Sequence, residues 1–445
     1  MKKLALTLAL LAGVRAWADP CGMVPPIYTG GGGAPIVRTG AQRTYAFYKD
    51  GMETYVIRPG FTGKVEEFGM LIPFPSPPSL RKMPDEIFPH VAAAVDPPEV
   101  VIDLRPRRWE EEDMVMEKSA AAPSARDEEP LAYNQVKVLN QEAVGMYEVA
   151  TLAAGSADAL KRWMDEHGFQ YPKGMDAVVN EYVKLRWVFV AEKTRVGSKE
   201  NADPKPGQRK VNPSLPSGAS FDGYVQAMGF RFKVDAPSLP MRLSPFNEGE
   251  NHQVVYFLTD QPIRFDGLDT GFVKRQLPGW KLLRNVTHLL PIRVLGGGPS
   301  QVTKEMLVNL KAQRDPKPHN GHAKDLFSSD LTALKLGRLS LDFEEKEKEL
   351  LRVGEALDIR GPEIDTLHEA HLDVERDKTA SAQLASLEGF TMTVFDGAFP
   401  LDYLKSHDLT VSKFAMSSKD NNRLRYDAKN DGPGYEPGGV RWEPP

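Results

Sequence analysis

The alternation of apolar and polar residues in the first part of the chain predicts a β-hairpin. Residues from Gln42 to Lys49 alternate between two faces, and residues from Glu53 to Arg58 do so again. Asp50-Gly51 lies between them, and this pair favours a tight hairpin turn because both positions need a positive φ. A third, more continuously apolar strand is predicted from Phe68 to Phe74, where a proline-rich run ends it.

In the middle of the chain, the spacing of apolar residues changes from that of a strand to that of a helix and back. This change predicts a strand–helix–helix–strand unit. A strand is expected from Val144 to Leu152, and Ser156 can cap the helix that follows. Gly168 is placed to end that helix, and its inward stripe, with a buried tryptophan, consists of Leu160, Trp163, Met164 and His167. A second helix is predicted over Met175 to Lys184, and a second strand over Trp187 to Lys193.

The whole pattern predicts an α+β fold made of successive modules. A β-rich module is expected at 19–109, a central α+β module at 131–299, and a mostly helical region at 300–420. The charged, Ala/Ser-rich segment 110–130 indicates a linker or insertion, and 421–445 a flexible tail. Further strands are predicted at Phe230–Val234, Met241–Leu243, Gln253–Thr259, His288–Leu295 and Phe390–Phe395, and further helices at Asp85–Ala94, Thr303–Gln313 and Leu341–Leu357.

The start of the chain has the three parts of a signal peptide. Lys2-Lys3 is basic, Leu4 to Val14 is apolar, and Ala16-Trp17-Ala18 offers a small-x-small cleavage site. The apolar run is too short to span a bilayer. We therefore expect residues 1–18 to be removed by cleavage between Ala18 and Asp19, and the mature protein to be periplasmic or secreted.

Composition narrows the possible partners. The formal net charge is −5, which argues against nucleic acid as a partner because phosphate binding needs a basic surface. No later stretch is apolar enough to span a membrane, so we expect a soluble mature chain without a transmembrane segment. The single cysteine, Cys21, excludes an intramolecular disulfide, and it can either pair with another chain or stay free.

Four segments, in this order, resemble a known bacterial family. They are Cys21-Gly22, Asp50-Gly51, EEFGMLIPFPSPP (Glu66 to Pro78) and YEVATLAAGSADALKRWMDEHGFQYP (Tyr147 to Pro172). Together they resemble the exported family known as domain of unknown function 2330, over about Cys21 to Leu295. The chain departs from the family pattern in lacking its second early cysteine. The resemblance implies an extracytoplasmic bacterial protein, and it carries over no activity and no catalytic residue.

The histidines of the C-terminal third are the residues most typical of a metal site. His368 and His371 are three positions apart, which places both on one face of a helix, and His319 and His322 lie in a predicted loop. They do not form the zincin motif, which needs histidines four apart. A metal-dependent extracytoplasmic enzyme with these ligands is one hypothesis. The interpretation that we favour is that the histidines are solvated and that the protein has no cofactor.

Other chemistry-bearing patterns point to binding rather than catalysis. The glycine clusters do not have the spacing of phosphate-binding loops, and G-x-S-x-G does not occur. Aromatic residues crowd the first hairpin, where they form either a ligand surface or, as we favour, a sheet covered on both faces. The leading functional hypothesis is a non-enzymatic binding or interaction protein of the cell envelope. Its partner is an envelope protein or ligand that the sequence does not identify.

Overall fold

The fold is seen in a computed structural model. It describes residues 27–28, 37–38, 41–63, 67–84, 87–97, 100–103, 135–144, 147–169, 171–195, 221–224, 227–247, 252–287, 292–295, 321–336 and 381–417. Several predictions fall outside these residues, and they remain predictions: the signal peptide 1–18, Cys21, the linker 110–130, the tail 421–445, the helices at Thr303–Gln313 and Leu341–Leu357, and His319, His368 and His371.

Helices and strands alternate along the described chain. The helices are α1 (Ile87–Val95), α2 (Ala157–Glu166), α3 (Asp176–Lys184), α4 (Gly279–Thr287), α5 (Gly321–Leu336) and α6 (Leu401–Leu404). The strands are β1 (Ile27–Tyr28), β2 (Val37–Arg38), β3 (Gln42–Lys49), β4 (Met52–Arg58), β5 (Gly60–Gly63), β6 (Glu67–Phe74), β7 (Ser79–Lys82), β8 (Val100–Asp103), β9 (Val136–Val144), β10 (Tyr147–Ala154), β11 (Val188–Arg195), β12 (Phe221–Tyr224), β13 (Met228–Lys233), β14 (Ser238–Leu239), β15 (His252–Thr259), β16 (Ile263–Phe265), β17 (Val273–Pro278), β18 (Ile292–Leu295), β19 (Thr391–Ala398) and β20 (Leu409–Lys413). The α+β class is confirmed.

Two large sheets pack face to face between helices. The five-stranded sheet has the order β1-β6-β11-β10-β9, and the seven-stranded sheet has the order β17-β19-β15-β3-β4-β13-β7. Their facing sides share one apolar layer, which we call the intersheet core. Helices α2 and α3 cover the other side of the five-stranded sheet. Helices α1, α4 and α5 cover the other side of the seven-stranded sheet, so the order of layers is α/β/β/α.

The first hairpin is confirmed and lies at the centre of the seven-stranded sheet. Asp50 and Gly51 have φ angles of 48° and 78°, as the predicted turn requires. Strand β3 pairs antiparallel with β4 and parallel with β15. Tyr45 and Phe47 pack toward the helices, and Ala46 packs in the intersheet core. This sheet is covered on both faces, so these aromatics are core residues rather than a ligand surface.

The central unit has the predicted order, with one correction on α2. The Ser156 hydroxyl accepts a hydrogen bond from the Ala159 amide at 3.1 Å, and Gly168, with a φ of 78°, follows the end of the helix. The prediction that Trp163 is buried is wrong, because it is half-buried and stacks on the exposed His167 with 4.1 Å between ring centroids. Leu160 and Met164 fill the contact with the sheet instead.

Three further expectations differ from the structure. Met241–Leu243 is not a strand but leads into a 3-10 helix at Ser244–Phe246, because prolines flank the short run and interrupt strand pairing. Helix α4 was not predicted, and His322 lies in α5 rather than in a loop. The seven-stranded sheet takes strands from each of the three predicted modules, including β19 from the region expected to be mostly helical.

Within the residues that the structure describes, no helix has both the length and the apolar character needed to cross a membrane.

Candidate functional site

Helix α5 brings a buried acidic side chain to the centre of the fold. Its apolar residues, among them Leu326, Phe327 and Leu331, pack on the seven-stranded sheet and on α1. Asp330 lies on the same buried stretch and is fully inaccessible to solvent. A buried carboxylate must be paired or neutralised, because transfer out of water disfavours its charge.

Three side chains from the seven-stranded sheet donate hydrogen bonds to Asp330. Tyr45 Oη donates to Oδ2 at 2.9 Å, and Thr54 Oγ1 donates to Oδ1 at 2.7 Å. Arg231 Nη2 also donates to Oδ1, which makes a buried ion pair. The Arg231 guanidinium further donates to Thr54 Oγ1 at 2.9 Å and to Ser329 Oγ at 3.1 Å. We call these five residues the Asp330 network.

The Asp330 network stabilises the charged form of the Asp330 carboxyl group. Both carboxylate oxygens accept hydrogen bonds and the adjacent guanidinium is positive, an arrangement that stabilises a buried carboxylate. The pKa of Tyr45 is raised well above its ordinary value, chiefly by burial and then by the negative charge of Asp330. The tyrosine is therefore a fixed donor at neutral pH. The network joins α5 to β3, β4 and β13 and has the character of a structural clamp.

His322, one of the predicted metal ligands, contacts another histidine. It lies in the first turn of α5, and its ring is 4.6 Å from the ring of His90 on α1, in an edge-to-face arrangement. His319, His368 and His371 lie outside the described residues, so the predicted convergence of four histidines stays a prediction. In the described ranges, no group of three or more His, Cys, Asp and Glu side chains could hold a metal ion.

A second buried acid, Glu192, lies in the intersheet core. On β11 it alternates with Val188 and Val190, whose side chains face this core, and its register partners are Val149 on β10 and Met70 on β6. Its side chain has no solvent exposure, and neither carboxylate oxygen has a hydrogen-bond partner among the described residues. Burial raises the pKa of the Glu192 carboxyl from 4.5 to about 8.

A third buried acid, Glu53, is intermediate between these two. It lies on β4 and, by strand alternation, faces the intersheet core like Tyr55. Its Oε2 accepts one long hydrogen bond, of 3.5 Å, from the Ser238 amide. Burial raises the pKa of Glu53 well above its ordinary value, and the backbone hydrogen bond opposes that rise only partly.

A fourth acid, Asp408, links α3 to the C-terminal part of the described chain. Its Oδ1 accepts hydrogen bonds from Tyr182 Oη at 2.5 Å, from the Met241 amide at 2.7 Å and from the Arg242 amide at 3.3 Å. Burial raises the pKa of Asp408, while these hydrogen bonds favour its charged form. This contact, like the Asp330 network, joins separate elements.

Trp280 is one of three exposed large apolar side chains among the described residues, and the backbone next to it is tightly packed. Trp280, in the first turn of α4, is 55% exposed. The preceding Gly279 donates its amide to the Phe390 carbonyl at 2.8 Å, and a Cβ at Gly279 would lie 1.6 Å from the Leu387 carbonyl oxygen. The backbone beside Trp280 is therefore fixed against the 3-10 helix at Ala385–Gly389.

The buried acids were not predicted from the sequence. Glu192 interrupts the apolar face of Val188 and Val190, and a polar residue on the inward face of a strand is the local signal of such a site. Arg231 had no such signal, because it takes the polar position of the alternation Phe230-Arg231-Phe232. Asp330 had no such signal, because α5 was not predicted.

A family model for uncharacterized proteins conserved in bacteria (DUF2330) matches residues 33–274. The chain belongs to this family. The matched range contains Glu53, Glu192 and Arg231 and ends before α4, so Trp280 and Asp330 lie beyond it. The comparisons with curated proteins and with solved structures found no match.

Proposed function

We propose that this DUF2330 member is an exported, non-enzymatic binding or interaction protein of the bacterial cell envelope. Its partner is an envelope protein or ligand. Export is supported by the signal-peptide pattern of residues 1–18, with cleavage between Ala18 and Asp19. The observation that carries the binding role is the Asp330 network.

The Asp330 network supports a scaffold rather than a reaction centre. Its arginine, carboxylate and tyrosine are residue types that catalyse reactions in other proteins, but here they are buried and donate to or accept from one another. A catalytic group must reach substrate, whereas a clamp must fix elements. The network fixes α5 to the sheet, and so it stabilises a rigid body that can present a surface.

Trp280 is the side chain that we propose as a contact to the partner. Tryptophan is enriched among the residues that dominate binding energy, and the backbone beside Trp280 is held in place before any partner arrives. A residue whose backbone is already fixed loses less conformational entropy on binding than one in a flexible segment.

Affinity capture from envelope extract tests the binding role. Wild-type protein should retain one stable partner, and Trp280→Ala should weaken that retention at least tenfold. Leu185→Ala is the matched control. Leu185 follows the C-terminal end of α3, is 58% exposed and is far from Trp280 in the sequence. Equal loss with both variants, or no retained partner, would contradict the proposal.

The N-terminal sequence of the protein recovered from bacterial cells tests export. We expect Asp-Pro-Cys-Gly, beginning at Asp19, in the periplasmic or secreted fraction. An intact Met1 on cytoplasmic protein would overturn this part of the proposal.

A metal-dependent extracytoplasmic enzyme is the second candidate, and the contact of His322 with His90 favours it. Two imidazoles already meet between α1 and α5, and imidazole is a common ligand of zinc. His319, His368 and His371 would complete the set. Elemental analysis of protein purified without a histidine tag should then find stoichiometric zinc, lost from a His322→Ala/His368→Ala variant. A metal-free protein with unchanged stability in chelator would reject this candidate.

A further inference from the structure

Glu192 is a buried acid that the proposed function does not use. Native proteins satisfy nearly all buried polar groups, so an orphaned carboxyl group calls for an explanation. Both of its oxygens lack a hydrogen-bond partner among the described residues, while its strand neighbours Val149 and Met70 are apolar. In such surroundings a carboxyl group is much better tolerated neutral than charged.

The position of Glu192 places it within the contact between the two sheets. Val188 of β11 is the register partner of Phe74 of β6, and the Phe74 ring lies 5.1 Å from that of Phe232 in the opposite sheet. Glu192 is four residues further along β11, roughly 13 Å from Val188 at about 3.3 Å per residue. Glu53 pairs with Phe232, so it lies at the Val188 end and Glu192 at the other.

Among the described residues, no side chain of opposite charge pairs with the Glu192 carboxyl group. Among the described side chains, the other titratable positions on the intersheet faces are Tyr48 on β3, Glu53 and Tyr55 on β4, Tyr147 on β10, Lys82 on the edge strand β7, and, by register, Lys137 on the edge strand β9. Burial is the cause of the raised pKa of Glu192, with no contribution from a neighbouring charge.

We propose that Glu192 makes the closure of the two sheets pH-dependent, so that acidification favours the closed sandwich and alkalisation weakens it. The closed state holds the proton that the open or unfolded state releases. Between about pH 4.5 and pH 8 the open state binds fewer protons, and stability therefore falls as pH rises. Above pH 8 both states are ionised and the dependence ends. If the protein is exported as proposed, its surroundings follow the pH outside the cell.

Unfolding measurements on wild type and Glu192→Gln between pH 5 and pH 9 test this pH dependence. Glutamine has the shape of the neutral acid and no titration. The ratio of the wild-type folding constant to that of Glu192→Gln should fall about tenfold per pH unit, near a hundredfold from pH 5.5 to 7.5. It should level off above pH 8. A ratio that does not change with pH would overturn the proposal.

Infrared spectroscopy of the wild type provides a second test, which does not depend on whether Glu192→Gln folds. Wild type should show the carbonyl band of a protonated carboxylic acid at pH 7, and one such band should disappear as pH rises above 8. Glu53→Gln should keep that band, because Glu192 remains. Absence of the band from wild type, or its complete loss in Glu53→Gln, would overturn the assignment to Glu192.

Discussion

Asp330 and Glu192 are both fully buried acids, but the described residues around them differ in the hydrogen bonds and counter-charge that they supply. Asp330 receives hydrogen bonds from Tyr45 and Thr54 and an ion pair from Arg231, so it can keep its charge. Glu192 receives none from the described residues, and a high pKa keeps it neutral. Burial alone therefore does not decide whether an acid stabilises the fold. The donors around it decide.

Removal of the Asp330 carboxylate should have the largest effect. Asp330→Ala leaves the Arg231 guanidinium buried without its counter-charge, and we expect a loss of about 3–5 kcal/mol in the free energy of unfolding. Urea denaturation at pH 7 measures it. Asp402→Ala is the control, because the Asp402 side chain is 96% exposed and its loss should cost less than about 0.5 kcal/mol. Equal effects would show that the network does not support the fold.

Removal of the Glu192 carboxyl group should stabilise the fold rather than destabilise it. Glu192→Leu removes a carboxyl group that must stay neutral in the fold, and we expect a gain of roughly 2–4 kcal/mol at pH 8. At pH 5 the gain should be much smaller, since this pH is close to the ordinary glutamate pKa of 4.5 and the unfolded chain gains little by releasing the proton. Thermal or urea unfolding at both pH values checks this. A similar loss of stability at both would mean that Glu192 has a favourable partner after all.

Tyr45→Phe tests how much a single donor contributes to the Asp330 network. Its hydroxyl donates to a charged acceptor inside the fold, so we expect a loss of about 1–3 kcal/mol. Tyr48→Phe is matched to it on the same strand, because the Tyr48 hydroxyl donates to the Asp235 carbonyl in an exposed contact. That control should lose less than about 1 kcal/mol. If both variants lose the same amount, burial adds nothing to the Tyr45 bond.

Local signals predicted the elements, whereas the buried acids depend on distant contacts. The turn at Asp50-Gly51 and the cap at Ser156 each need only neighbouring residues, and both are confirmed. Tyr45 and Asp330 are 285 positions apart, and nothing in either segment specifies their pairing. The alternation of Val188, Val190 and Glu192 placed them on one face of a strand. That this face meets a second sheet follows only from the assembled fold.

Glu53 is intermediate between Asp330 and Glu192 in the number of hydrogen bonds that it accepts. Its substitution by glutamine should change the stability at pH 5 less than any of the test substitutions above. One amide, at 3.5 Å, donates to it, which is too little to hold a buried charge, and burial raises its pKa well above the ordinary value, which favours the neutral form. Glu53→Gln preserves that neutral shape, and the change in unfolding free energy at pH 5 should be below about 1 kcal/mol. As pH rises above the ordinary pKa of glutamate, the variant should become progressively more stable than wild type, because the unfolded wild-type chain gains from ionisation. Paired urea titrations at pH 5 and pH 8 measure both terms. A loss of 3 kcal/mol or more at pH 5 would mean that Glu53 is charged and compensated like Asp330, and the distinction between the helix-covered side and the intersheet side of the seven-stranded sheet would no longer hold.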